Sequence, residues 1–148
     1  MAPIVASIDI SRRPEDVFAY MTDPARFPEW QVSVVSASRT GDTPLAVGSK
    51  TSVTRRVGPR QLQSTEEVIE LNPPSSWCFR GASGPVVGIA EGRIEPLDDG
   101  RRSRVTIALD FEAHGIGKLL LPLVVRRQAR RQMPENEQQL KKVLERDG

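Results

Sequence analysis

One histidine, one cysteine and a few paired carboxylates are the first places to look for metal, nucleophilic or acid–base chemistry in this 148-residue chain. Metal sites draw on several His, Cys or carboxylate ligands. His114 and Cys78 lie thirty-six positions apart with no companions at ligand spacing, so no metal is expected. No G-x-S-x-G elbow presents a nucleophile. His114 reads as structural or as a neighbour of a cavity mouth, and Cys78 as a small buried hydrophobe or an outward strand residue. Glu66 and Glu67 are adjacent on a strand and point to opposite faces, so they cannot act together. Asp98-Asp99 is turn chemistry. Asp110 and Glu112 share a face, but the wet one. Gly115-Ile116-Gly117-Lys118 lacks the Walker spacing, and Gly84-Pro85 excludes a phosphate loop, so no nucleotide or other cofactor is expected.

Arg126, Arg127, Arg130 and Arg131 form i,i+4 pairs on a helix, just after the apolar run Leu119–Val125. They read as a solvated face neutralised by Glu135 and Glu137. A weak contact with an anionic membrane is the alternative. No aromatic residue interleaves with the arginines, so nucleic acid is not expected as a partner.

The aromatic and apolar set points elsewhere. Tyr20, Trp30, Trp77, Phe79 and Phe111, with Val53, Leu109 and Leu120, would line a cavity if a sheet curved around a long helix. Pockets for small molecules are mostly apolar with a few placed polar groups. Arg55 shares a strand face with Val53 and Val57, where a charge is costly unless paired or open to a cavity. It either meets an anionic head group or sits idle at the strand's wet end. Trp30 has a second reading as a core residue capping a helix pair.

The elements that would position these residues are legible. Ile4–Ile10 alternates as a strand. Pro14 suits a first helical position, with Glu15 and Asp16 in the first turn, and Val17, Phe18 and Met21 give an apolar face. Asp23-Pro24 repeats the start signal, so helices are expected over 14–22 and 24–30. Strands follow over Val32–Ser38, Ser49–Val57, Gln61–Leu71, Ser76–Gly81, Val86–Leu97 and Arg104–Ala113, with turns at Gly58-Pro59, Gly84-Pro85 and Asp98-Asp99-Gly100. In the last strand Val105, Ile107, Leu109 and Phe111 alternate with polar residues, as in an antiparallel sheet wet on one side. The last thirty residues are helical, with Pro134 expected to kink or break the helix near Arg131. One domain spanning 1–148 is expected.

The residues Arg13-Pro14-Glu15-Asp16-Val17-Phe18 and Asp23-Pro24-Ala25-Arg26-Phe27-Pro28-Glu29-Trp30, after an apolar strand, resemble the SRPBCC superfamily, the Bet v 1/START-like helix-grip fold. Within it the chain is most similar to the polyketide cyclase/dehydrase-like family. Val47-Gly48-Ser49, Glu67-Val68 with Pro73-Pro74, Val105-Thr106 after the last hairpin, and Leu140-Lys141 with Leu144-Glu145 continue the likeness. Arg102-Ser103 stands where the family has Gly-Thr. The resemblance implies an α+β fold: a curved seven-stranded antiparallel sheet wrapped on a long C-terminal helix, with two short helices between the first two strands.

The family includes cyclases, lipid carriers and hormone receptors, so fold alone does not decide function. The first expectation is a carrier or sensor that binds a hydrophobic small molecule, such as a lipid or polyketide-like metabolite. The alternatives are a cyclase, aromatase or dehydratase using Arg55, Tyr20 and His114, and a partner-binding domain with a closed cavity. Most titratable residues fall in loops, on outer faces and in the last helix, which favours binding over catalysis. One cysteine and no signal peptide fit a cytoplasmic protein. Leu119–Val125 would serve as a cavity roof in a monomer or as a homodimer face.

Overall fold

In a computed structural model the chain is described over residues 3–41, 43–83, 86–113 and 121–146, with side chains outside 82–86 and 113–125. The elements are β1 (Ile4–Ile10), α1 (Pro14–Met21), a 3-10 turn (Pro24–Arg26), α2 (Phe27–Trp30), β2 (Val34–Arg39), β3 (Lys50–Val57), β4 (Arg60–Asn72), β5 (Ser76–Ser83), β6 (Val86–Leu97), β7 (Arg102–Ala113) and α3 (Leu121–Arg146). His114 and Leu120 lie outside the described residues.

All seven strands join one antiparallel sheet in the order β1-β7-β6-β5-β4-β3-β2. The sheet is open, with β1 and β2 as its free edges. It does not close around the helix. Instead α3 is tied to several elements in turn: Gln128 Nε2 donates to the Arg56 carbonyl, Asn136 Oδ1 accepts from Val32 N–H, Lys141 Nζ donates to the Asp9 carbonyl, and Glu145 accepts from Ser11 N–H.

Local chemistry explains the helix pair. Pro14 opens α1, and Thr22 closes it by donating its hydroxyl to the Phe18 carbonyl at 2.8 Å. Asp23 accepts from Ala25 N–H at 3.1 Å and starts the 3-10 turn. The second expected helix is therefore a 3-10 turn that opens on Pro24 and a four-residue helix with Pro28 at its second position. Strand β2 starts two residues later than expected. Val34 N–H closes a turn on the Gln31 carbonyl, and Val32 N–H is taken by Asn136.

Pro134 does not split the last helix, which runs unbroken through it. The tertiary bonds of Gln128 and Asn136 hold the helix on either side of the proline. The expected solvated arginine stripe is also corrected. Arg126 is only 6% exposed, and its guanidinium lies 3.3 Å from Asp110 Oδ1. Glu137 does not neutralise the stripe; it is buried at 3% exposure. Arg126, Met133, Glu137, Leu140 and Leu144 form one buried stripe at helical spacing.

Candidate ligand site on the inner sheet face

Alternation puts Val105, Ile107, Leu109 and Phe111 of β7 on the inner face, and register carries this parity across the sheet. One cross-strand row reads Phe111, Gly88, Gly81, Glu66 and Thr51. The next reads Leu109, Ala90, Phe79 and Val68, and a third reads Ile107, Gly92, Trp77 and Leu71. The Val68-to-Leu71 step skips a residue because Ile69 bulges outward.

Glycines make room for the large side chains. A Cβ on Gly92 would stand 2.2 Å from the Trp77 indole, so the indole lies directly on the bare backbone of β6. Trp77 stacks on Phe79 with ring centroids 4.9 Å apart, and Phe27 meets Phe79 at 6.2 Å. Trp30 packs edge-on against Phe27 at 6.5 Å. These rings fill the middle of the molecule. The void beside them, walled by Thr51, Glu66, Val68, Phe79 and Phe27, measures about 10 Å³. It has room for about one water.

The row nearer the β6 start and β7 end is more open. Phe111, Gly88 and Gly81 are half-buried, as are Leu109 and Ala90, whereas Ile107, Gly92 and Trp77 are buried. Gly88 and Gly81 are directly paired, so two bare backbones adjoin at the centre of the sheet. Phe111 flanks them on one side and Glu66 on the other. A Cβ on Gly88 would stand 3.4 Å from the Phe111 ring and one on Gly81 3.0 Å from Glu66 Cγ, so these two side chains lean over the glycine pair and leave a shallow, half-buried trough between them.

The charged wall is an ion pair. Arg55 Nη2 lies 2.8 Å from Glu66 Oε1, with the side chains 30% and 13% exposed, and Arg55 Nη1 reaches Ser33 Oγ at 3.4 Å. Arg55 thus has a partner on the inner face, which is how a charge is tolerated there. Other buried polar atoms lack one: the indole nitrogens of Trp30 and Trp77 and Oε2 of Glu137 have no hydrogen-bond partner among the described residues. Burial pushes the Glu137 carboxyl up to about 7.

Of the residues singled out in the sequence, Val53, Arg55, Trp77, Phe79, Leu109 and Phe111 come together on this face, and Trp30 joins the core from α2. Tyr20 stands apart from the ion pair: its hydroxyl donates to Glu29 at 3.0 Å, and the Arg26 guanidinium sits 5.9 Å from its ring. Cys78 is buried among strands, and burial, then Glu91 and Glu70, push its thiol up to about 11. Glu66, Gly81, Gly88 and Glu137 went unrecognised in the sequence. Glu66 had a signal, since Leu62, Ser64, Glu66 and Val68 alternate on one face. A larger, open concavity of about 640 Å³ runs along α3 beside Pro134, Gln138 and Lys142, bounded by polar side chains of that helix. Among the described residues there is no cluster of metal-ligating side chains, and no helix long and apolar enough to cross a membrane.

Residues 1–145 match the family described as polyketide cyclase / dehydrase and lipid transport. The chain belongs to that family. The match spans β1 through nearly all of α3, so it takes in both walls of the trough. Solved structures share the fold. The aromatase/cyclase Zhui from Streptomyces sp. R1128 is 14% identical, with a TM-score of 0.82 over 97% of this chain and 93% of that one. A START superfamily protein from Mycobacterium smegmatis is 11% identical, with a TM-score of 0.80 over 100% of both chains. The di-domain aromatase/cyclase BexL of the BE-7585A biosynthetic pathway is 15% identical with a TM-score of 0.75, and this chain spans 47% of it. No curated protein matches the chain in sequence. Family and fold fit a hydrophobic-ligand-binding or polyketide cyclase-like role.

Proposed function

We propose that this protein is a carrier or sensor for a hydrophobic small molecule of lipid or polyketide type, held against the inner sheet face. The half-buried Gly81–Gly88 floor between Phe111 and the Arg55–Glu66 pair carries this reading. A flat apolar body would lie against the Phe111 ring that covers Gly88, with Leu109 and Ala90 supplying further apolar contact. Arg55 or Glu66 offers a hydrogen bond to a carbonyl or hydroxyl at the molecule's polar end. Burial of the apolar part would contribute roughly 25 cal/mol per Å² before ordering costs. The free Cys78 thiol suits a reducing compartment, and we place the protein in the cytoplasm.

The test is the native mass of freshly purified protein against its denatured mass. The expected result is a discrete excess that is lost on denaturation and absent from Gly88→Leu, which fills the trough. Equal masses for the wild type, and no uptake from a lipid or polyketide extract, would rule the reading out.

A second reading has its own support. The family includes cyclases, and the Arg55–Glu66 pair sets a cation and a carboxylate side by side on an inner face. Such a pair is able to polarise a ketone and move a proton in an aldol-type ring closure. If Arg55→Met and Glu66→Gln leave the product distribution from a poly-ketone substrate unchanged, this reading fails.

A further inference from the structure

The β3–β4 hairpin and the first half of α3 meet where Gln128 Nε2 donates to the Arg56 carbonyl at 3.0 Å. Arg56 and Arg60 are exposed on the hairpin, and Arg127, Arg130 and Arg131 are exposed on the helix. None of these five has an ion-pair partner among the described residues. Two of the carboxylates that would have offset the helix are used elsewhere: Glu137 is buried and Asp110 serves Arg126; Glu135, one turn from Arg131, makes no ion pair with it among the described residues. The chain's formal charge is only +2, so these five arginines at one end are a large part of its local positive charge.

We propose that this arginine-rich end docks on an anionic lipid bilayer. Arg60, on the inner-face side of the hairpin, and the three helix arginines come from two elements, whereas Arg56 has the outer parity; charge spread over two elements suits a charged plane more than a single anion. No aromatic side chain lies among the five, so stacking on nucleic-acid bases has no support. The docking surface stands independently of what the trough holds.

Vesicle co-sedimentation tests it with the full chain. The expected result is binding to vesicles of phosphatidylcholine with 30% phosphatidylglycerol, little binding to phosphatidylcholine alone, and loss of binding in 0.5 M salt, where the Debye length is short (the lipid fraction and salt are roughly those at which such attraction is read). Arg127→Glu/Arg131→Glu should weaken binding at least about tenfold. Arg80→Glu/Arg93→Glu, two exposed arginines on the outer sheet face, makes the same change in net charge and should bind within about twofold of wild type. Circular dichroism checks that both variants fold. Equal binding to neutral and anionic vesicles, equal loss in both double variants, or binding to an acidic protein without any to anionic vesicles would overturn the proposal.

Discussion

Arg55 and Glu66 reach toward each other along neighbouring strands, with Nη2 and Oε1 2.8 Å apart. They are not directly opposite. Arg55 pairs in register with Leu62 and Glu66 with Thr51, so the two side chains meet above the Val53–Ser64 pair that lies between them. A charge pair over a fully buried valine is shielded from solvent on its floor and half-open above.

Removing one partner leaves the other charge partly buried and alone. Arg55→Met or Glu66→Gln should each lower stability by about 1–3 kcal/mol. The double variant Arg55→Met/Glu66→Gln should lose less than the sum of the singles, because no unpaired charge is left behind. Urea unfolding of the four proteins measures the coupling; strict additivity would show that the pair contributes nothing as a pair.

Glu137 makes stability depend on pH. Its carboxyl is raised from 4.5 to about 7 by burial, so the folded state holds a proton that the unfolded state has lost. This stability is fully present below 4.5 and is lost as pH rises to about 7. The full span is about 3 kcal/mol. Glu137→Gln should flatten the unfolding free energy between pH 5 and 7 relative to wild type (a range of roughly two units, set by the linkage). An unchanged slope in the variant would mean that another group titrates.

Gly92 is held open by Trp77. Gly92→Ala would put a methyl 2.2 Å from the indole and force the ring off Phe79, at a cost of about 1–3 kcal/mol. Tryptophan fluorescence should shift to longer wavelength as the indole moves. Native-like emission and stability would mean that the ring has a second seat.

Cys78 should be inert in the folded protein. Its thiol, pushed up to about 11 and buried, is almost wholly protonated near neutral pH. A disulfide-exchange reagent at about pH 8 should label it only after unfolding in urea, since thiolate is the reacting form. Rapid labelling without denaturant would show that β5 opens locally.

The sequence alone determined the fold and most of its elements, because those signals are local. Pro14 with its acidic first turn, the Asp23-Pro24 restart, the alternation through Phe111 and the Asp98-Asp99-Gly100 turn, each residue at positive φ, act over a few residues and need no distant partner. Pro14 and Asp23-Pro24 are also among the residues that carried the family likeness. Even the inward set of Val53, Trp77, Phe79, Leu109 and Phe111 follows from strand parity. Tertiary structure decided what register and burial decide. Gly81 faces Gly88 only because β5 and β6 pair as they do, and Arg55 meets Glu66 only because β3 and β4 are offset as they are. Arg126 and Glu137 have the composition of a solvated helix face. Docking of α3 across the sheet buries both, pairing the arginine with Asp110 and raising the carboxyl of the glutamate. Solvation and partners are long-range properties, set by which segments pack together, and helical spacing cannot name the neighbour across the interface.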